Sequence, residues 1–351
     1  MIGTRVIVSE LAEDPSEAIE AMRLESFEVP TPGPDEVVVE VRAAAVGWVD
    51  LIMASGQYQH VPPVPFTPGL EYAGVIVAGD GVGREVLIDG LVAGPRSPGA
   101  YQRSGGFATH ALVPKAALRE VPGGLPLEQA VSFFGSYETA YHCLVARGRL
   151  KAGESVLIHG ASGSTGLAAV HIAKVIGATV IATGRSDDKL AVVREQGADH
   201  VINTREGGLK EAVKALGQVD VVYDPVGGDI SVESLRCLKF GGRFLIVGWA
   251  GTPNVARGKG LRGAPNANQL PTNLIMMKGL DVLGCPMVIA TQADPTIRDS
   301  RLSVLLDWLA RGSLRPYVSH RFGLADFKEA LRAKWRGDVI GGAVIASGSH
   351  D

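Results

Sequence analysis

The chain has 351 residues, of which 46% are hydrophobic, and this length suits about two domains with ample apolar side chains for their cores. Its 34 Lys and Arg nearly balance 37 Asp and Glu, so the net charge of −3 gives no electrostatic reason to expect a nucleic acid or an acidic membrane as partner. The three cysteines lie far apart and cannot all pair, which predicts a reducing cytoplasm, and the N-terminus and apolar runs predict a soluble, unprocessed protein.

The first 135 residues contain short apolar runs bounded by Gly or Pro, a pattern typical of a β-rich barrel. These predicted strands are Arg5 to Val8, Val37 to Val41, Tyr72 to Val77, Glu85 to Ile88 and Ala108 to Val113. Helical spacing follows over Glu128 to Arg147. We therefore predict a β-rich first domain over residues 1–135.

From Ser155 onward, apolar strands alternate with helices, which indicates a parallel sheet covered on both faces. The predicted strands are 155–159, 178–183, 219–223, 243–248 and 280–285, and the predicted helices are 165–176, 187–196 and 229–239. This is the pattern of a Rossmann-type doubly wound α/β domain over residues 136–295. The elements predicted after Pro295 do not extend the alternation, so residues 296–351 are expected to complete the first domain: helix Leu302 to Leu309, strand Val318 to Phe322, helix Phe327 to Trp335 and strand Ala343 to Ala346.

One glycine-rich turn joins the first of these strands to its helix. Closely spaced glycines in such a turn let backbone N–H groups approach a pyrophosphate at a helix N-terminus. A lone glycine motif is weak, but the strand before, the helix after and the continuing alternation supply its context. The predicted dinucleotide-binding residues are Ala161, Ser162, Gly163, Ser164, Thr165 and Gly166.

The second strand of this domain ends without the acidic residue that usually binds the ribose hydroxyls of NAD. Gly184 stands at that position, and Arg185, Ser186 and Lys189 follow. Removing the carboxylate removes repulsion, and a guanidinium binds phosphate through two hydrogen bonds, so we predict NADPH rather than NADH. In the alternative interpretation Arg185 is merely exposed, and Asp187 or Asp188 binds the ribose.

Two later strands end in turns that would face the cofactor, because ligands of such sheets bind beyond the strand carboxyl ends. The predicted contacts are Asp224, Val226 and Gly227 in one turn and Gly248 and Trp249 in the other. In the alternative interpretation, either turn is only a connection between a strand and a helix and does not contact the cofactor.

The loop over residues 251–271 is glycine-rich and unusually long for a connection, and it carries Arg257, Lys259 and Arg262 without an acidic residue. One interpretation is a solvated insertion. The other is a basic lid over an anionic ligand.

Taken together, six motifs resemble the medium-chain dehydrogenase/reductase superfamily, and most closely its zinc-free quinone oxidoreductase, or zeta-crystallin, branch. They are Asp50 through Tyr58, Pro68 through Gly74, Gly106 through Ala108, Tyr137 through Tyr141, His159 through Gly166 and Pro271 through Asn273. The resemblance implies a GroES-like barrel beside the Rossmann domain, and a homodimer. It places Thr139 near the nicotinamide, Asn273 near the reaction cleft and Tyr58 in the substrate pocket. Tyr58 and Tyr137 are the candidate donors to a developing oxyanion, although each could be a packed aromatic without a chemical role.

Zinc-dependent members of the superfamily bind a catalytic metal through a Cys and a His at positions where Gly47 and Leu70 stand here. The chain also lacks the four-cysteine cluster of a structural zinc, so we predict no zinc, with His60, His110 and His142 as residual possible ligands. The family pattern usually has Asn at the position of Gly47 and often Arg at Ala54, and with Trp48 beside Gly47 these departures predict an apolar, flat pocket.

Without a Lewis acid, a conjugated acceptor suits hydride transfer, because conjugation delocalises the charge that hydride addition creates. We therefore predict an NADPH-dependent reductase of quinones or α,β-unsaturated carbonyls. One alternative is an enoyl-thioester reductase, in which the basic loop would hold a phosphate-bearing carrier. The other is an NADPH-binding protein with little turnover.

Overall fold

The computed structural model describes residues 1–122, 124–251 and 268–346. Their N-terminal part is rich in strands. Its elements are β1 (Ile2–Ile7), α1 (Pro15–Ala21), β2 (Arg23–Glu28), β3 (Glu36–Ala45), α2 (Trp48–Ala54), β4 (Tyr72–Gly79), β5 (Glu85–Ile88), β6 (His110–Pro114), β7 (Leu118–Glu120) and α3 (Leu127–Val131).

Strands and helices alternate through the middle of the chain. The elements are α4 (Phe134–Tyr141), β8 (Ser155–Ile158), α5 (Ser164–Ile176), β9 (Thr179–Gly184), α6 (Asp187–Glu195), β10 (His200–Asn203), α7 (Leu209–Ala215), β11 (Val219–Asp224), α8 (Asp229–Cys237), β12 (Leu238–Ile246), α9 (Thr272–Lys278), β13 (Asp281–Gly284), α10 (Met287–Ala293) and α11 (Thr296–Ala310). The chain then adds β14 (Val318–Phe322), α12 (Phe327–Arg336) and β15 (Gly342–Ala346). Within the described ranges, none of these helices is both long enough and apolar enough to cross a membrane.

The described residues divide into two units, the first formed by residues 1–134 and 316–346 and the second by residues 135–251 and 268–315. The first unit contains a seven-stranded sheet in the order β14-β15-β3-β4-β5-β7, with β6 paired to β3. A separate antiparallel pair is formed by β1 and β2. Along β3, Val37, Val39 and Val41 enter the core of this unit, as the period of two of a strand requires. The predicted β-rich domain with a GroES-like fold is confirmed.

The second unit contains a six-stranded parallel sheet in the order β10-β9-β8-β11-β12-β13. Val156, Leu157 and Ile158 of β8 are all fully buried, which explains their unbroken apolar run. The strand order reverses between β8 and β11, the point at which open α/β sheets bind ligands. The predicted Rossmann-type sheet is confirmed, and it positions the turns after β8 and β11 side by side.

Helix α11 groups with the second unit, whereas the sequence predicted that everything after residue 295 completes the first domain. The reason lies on its inner face, where Arg298 and Arg301 both donate to the buried carboxylate of Glu138 on α4. Strand β14, helix α12 and strand β15 do group with the first unit, β15 pairing with β3.

Candidate functional site

The glycine turn after β8 is built so that no side chain fills it. Gly160 has φ +56°, a left-handed conformation that favours glycine. A Cβ on Gly166 would lie 2.3 Å from the carbonyl oxygen of Gly160, so the first turn of α5 packs directly on the backbone of the loop. The N-cap of α5 is Gly163, and no side chain caps the helix there. A bare helix N-terminus of this kind fits a pyrophosphate, which would lie against the predicted residues Ala161 through Gly166.

His159, the residue just before the turn, holds this part of the sheet together. Its ring is fully buried, with Nδ1 2.8 Å from the hydroxyl oxygen of Thr183 on β9 and Nε2 2.6 Å from that of Ser234 on α8. Burial lowers the pKa of His159, so the ring stays neutral and bridges the two elements. His159 is the first residue of the motif His159 through Gly166, but the sequence alone did not predict a role for it.

Asp224 at the end of β11 shapes its own turn. The buried carboxylate accepts hydrogen bonds from the amides of Val226 (2.8 Å) and Gly227 (3.0 Å), and its other oxygen accepts from the hydroxyl of Ser231. The predicted contact of Asp224 with the cofactor therefore has no support from its side chain, whose oxygens are both occupied within the turn. Its role here is to fix the backbone of Val226 and Gly227.

The turns after β8, β11 and β12 meet. A Cβ on Gly160 would lie 3.4 Å from Cγ2 of Val226, and one on Gly227 would lie 3.2 Å from Cδ1 of Trp249. The amide of Gly248 donates to the carbonyl oxygen of Asp224 at 3.3 Å. The structure thus brings together five of the predicted residues at one edge of the sheet: Asp224, Val226, Gly227, Gly248 and Trp249.

The end of β9 presents Gly184 and then an exposed Arg185. Strand β10 pairs Asn203 with Gly184, and Thr204 donates through its hydroxyl to the carbonyl oxygen of Gly184 at 3.0 Å. The side chain of Asn203 also donates to the carboxylate of Asp187 at 2.9 Å. Sequence reasoning missed this flanking segment because it did not predict β10. Ser186 is the N-cap of α6 and Lys189 lies in the first turn of that helix, so both remain near Gly184 in the chain.

Three further predicted residues lie in helices α4 and α9 of the second unit. Thr139 donates through its hydroxyl to the carbonyl oxygen of Gly135 within α4 (2.6 Å), and Asn273 is exposed on α9. Neither has a hydrogen bond to the glycine turn among those of the described residues. The hydroxyl of Tyr137 lies 2.6 Å from Nδ1 of His171, and both side chains are buried in the second unit.

The first unit contains the positions that hold a metal in zinc-dependent relatives. The buried carboxylate of Asp50 accepts from the amides of Gly47 (2.9 Å) and Gly69 (2.8 Å) and so holds the two segments together. Burial raises the pKa of Asp50 to about 6. Tyr58 is half-buried against the core of the same unit, and burial raises its pKa as well.

Among the described residues, no group of three or more His, Cys, Asp or Glu could hold a metal ion. Of the residual candidates, His60 and His110 belong to the first unit and His142 to the second. The basic residues Arg257, Lys259 and Arg262 of the long loop lie outside the described residues, so neither interpretation of that loop is tested.

Two family models match the chain. The alcohol dehydrogenase GroES-like domain matches residues 33–123, and the zinc-binding dehydrogenase model matches residues 164–298. The second of these begins within the glycine turn and covers every strand of the parallel sheet except β8.

Named relatives and solved structures match over most of the chain. Quinone oxidoreductase-like protein 2 of Mus musculus is 32% identical over 303 residues, which cover 85% of this chain and 81% of the relative. Quinone oxidoreductase of Lama guanicoe is 36% identical over 236 residues, covering 66% and 70% of the two chains. The quinone oxidoreductase of Thermus thermophilus, solved alone and with NADPH, has a TM-score of 0.79 at 29% identity and covers 98% of this chain and 100% of its own. The chain therefore belongs to the medium-chain dehydrogenase/reductase family and is an oxidoreductase of its quinone oxidoreductase group.

Proposed function

We propose that the protein is an NADPH-dependent reductase that transfers a hydride to a quinone or an α,β-unsaturated carbonyl without zinc. The observation that carries the cofactor choice is the end of β9, where Gly184 replaces an acid and the exposed Arg185 follows. The neighbouring carboxylate of Asp187 already accepts from Asn203, which leaves it less suited to bind the ribose. The quinone oxidoreductase of Thermus thermophilus, which was solved with NADPH, supports the same choice.

The acceptor class follows from the groups near Asp50. Gly47 and Leu70 supply no metal ligand, so the oxygen of a simple aldehyde would lack a Lewis acid. A quinone or enone spreads the developing charge through conjugation and needs less stabilisation at one atom. Hydride chemistry itself is what a bound nicotinamide supplies, while the protein orients the acceptor.

The reaction is tested by following the absorbance of NADPH with a benzoquinone, a simple enone and an enoyl thioester, beside binding titrations with NADPH and NADH. We expect turnover with the quinone or the enone. Turnover of the enoyl thioester alone would favour the enoyl-thioester reductase. Tight binding of NADPH without turnover of any acceptor would favour a protein that only binds the cofactor.

The cofactor preference is tested by Arg185→Ala. Losing one charge-assisted hydrogen bond to an exposed phosphate should weaken NADPH binding about tenfold and leave NADH binding unchanged. Arg194→Ala, which removes an exposed arginine from the last turn of α6, is the matched control and should change neither. An unchanged NADPH over NADH preference in Arg185→Ala would show that the phosphate binds elsewhere.

We also propose that the protein is a homodimer. Among the described strands, β13 lies at one edge of the parallel sheet. Proteins normally protect such an edge by pairing it with another strand or covering it. Beside it, the ring of Phe240 is 82% exposed and lies against Gly279, just before β13. An exposed aromatic next to an edge strand is typical of an interface.

A further inference from the structure

The first unit holds a buried arginine that the proposed reaction has not used. Arg96 is 8% exposed, and its Nη2 donates to Oε1 of Glu71 at 2.7 Å. The guanidinium reaches this place because Gly90 lacks a side chain. A Cβ there would lie 3.2 Å from Nη2 of Arg96 and 2.1 Å from the carbonyl oxygen of Leu70. The cation therefore packs beside Leu70 and Glu71.

Arg96 has more donors than acceptors. A guanidinium carries five N–H donors, and among the described residues the one acceptor within hydrogen-bond distance is Glu71. Its Nε is buried and has no hydrogen-bond partner within residues 1–122, 124–251 and 268–346. Buried donors are nearly always paired, so a cation left in this state is prepared for a further acceptor.

Tyr58 lies within the electrostatic reach of the same pair. Burial raises the pKa of the Tyr58 hydroxyl, the charge of Arg96 lowers it and the charge of Glu71 raises it. Of the two predicted oxyanion donors, Tyr58 is thus the one that shares a buried charged cluster with an under-coordinated arginine.

We propose that Arg96, held in position by Glu71, binds the substrate oxygen that becomes negatively charged on reduction. The inference rests on the proposed function. It requires an acceptor whose reduction by hydride leaves a negative charge on an oxygen that the guanidinium can reach, as in a phenolate or an enolate. Hydride transfer delivers one hydrogen and two electrons to the acceptor while NADPH is oxidised to NADP⁺. The resulting phenolate or enolate oxygen accepts from the guanidinium until a proton from water neutralises it. Arg96 supplies a positive charge at this oxygen, the contribution that a metal makes in zinc-dependent relatives.

The proposal is tested with a matched pair of inhibitors, benzoate and benzamide, which share shape and differ in charge. Benzoate should compete with the quinone and bind the wild-type protein at least tenfold more tightly than benzamide does. Arg96→Lys keeps the charge but loses the fork of donors, and it should reduce that benzoate preference about tenfold. Arg96→Met should abolish the preference and lower kcat/KM for the quinone about 100-fold. Equal binding of the two inhibitors to the wild type would overturn the proposal.

Arg103→Met is the control, because it removes an exposed arginine from the same unit and should leave both the inhibitor preference and kcat/KM unchanged. A structural role for Arg96 would lower the thermal midpoint of its variants without changing the ratio of benzoate to benzamide affinity, and that result would also overturn the proposal. If Arg96→Met fails to fold, Arg96→Lys and the wild-type inhibitor pair decide the question. Benzoate binding measured by calorimetry needs no turnover, so it separates failure of this inference from failure of the proposed function.

Discussion

Tyr137 and Tyr58 are both predicted donors to a substrate oxygen, but the structure surrounds their hydroxyls differently. The hydroxyl of Tyr137 is bonded to His171 inside the second unit, whereas Tyr58 lies near Arg96 and Glu71 in the first. We expect Tyr137→Phe to cost about 1 kcal/mol of stability and to change kcat/KM less than twofold. Tyr58→Phe should lower kcat/KM about tenfold with little loss of stability. Steady-state kinetics and urea unfolding of both variants check this, and the reverse pattern would restore Tyr137 as the donor.

Gly166 allows helix α5 to pack directly on the glycine turn. In Gly166→Ala, the new Cβ would lie 2.3 Å from the carbonyl oxygen of Gly160 and 2.8 Å from Cα of Ala161, so the backbone must move. We expect a loss of about 2–3 kcal/mol in the free energy of unfolding and a large loss of NADPH affinity. In Gly163→Ala the Cβ meets a single atom, at 3.2 Å, and the loss should be smaller. Denaturant unfolding and NADPH titration rank the two variants, and equal effects would contradict the packing argument.

Residue types and spacing predicted which turns meet at the candidate cofactor site, but not which way each side chain points. The glycines were identifiable because a close approach of backbone to ligand excludes a side chain. Asp224 has the same strand-end position as a ligand-binding residue, yet its carboxylate turns inward to Val226 and Gly227. That orientation depends on a hydrogen bond to Ser231, seven residues away, which no local pattern reveals.

Among the elements, helices α4 and α11 are joined by a buried ion cluster. Glu138 is 2% exposed and accepts from Arg298 at 2.9 Å and from Arg301 at 2.6 Å. Glu138→Gln would remove a buried carboxylate charge that accepts from two guanidinium groups, so we expect a loss of about 3 kcal/mol in the free energy of unfolding, measured by urea denaturation.

The matched control for this cluster lies on the exposed side of α11. Asp307→Asn breaks the ion pair between Asp307 and Arg311, and both of these side chains are exposed. The substitution should lower the free energy of unfolding by less than about 0.5 kcal/mol. Similar losses in the two variants would mean that the buried cluster does not hold α11 in place.

Elements with a long apolar pattern were predictable, and short or polar ones were not. The bounds of helix α5 and strand β11 lie within one residue of those predicted. Both elements consist mostly of buried apolar residues, so their patterns are easy to recognise in the sequence. Strand β10 has four half-exposed or exposed residues, and α7 has only Leu209 and Val213 buried, so neither has a strong periodic signal. The predicted helix over residues 128–147 is interrupted after Val131 and ends in a wider π-helical turn over His142–Arg147.

At the scale of the whole molecule, the sequence predicted both architectures but not where the chain changes between them. The alternation of strands and helices ends near residue 295, and this led to the prediction that all later residues complete the first domain. Helix α11 is assigned by Glu138, an ion pair across 160 residues of sequence, and not by any local feature.

Strand β13 lies at one edge of the parallel sheet of the second unit. The amide of Cys285 donates to the carbonyl oxygen of Ile246 on β12, so by the alternation of a strand the amide of Gly284 points away from the sheet. In a homodimer paired at this edge, that amide would bond to the second copy. Gly284→Pro removes the donor and should shift the protein from dimer to monomer in analytical ultracentrifugation, with its secondary structure retained.

The opposite edge of the same sheet supplies the control. Asp199 donates from its amide to the carbonyl oxygen of Val180, so the amide of His200 on β10 points outward in the same way. His200→Pro therefore makes the same chemical change at an edge that the proposed dimer leaves open, and it should remain a dimer. If both proline variants stay dimeric, the copies meet on another surface. If both become monomers, the loss reflects damage to the sheet, and only the difference between the two edges assigns the interface to β13.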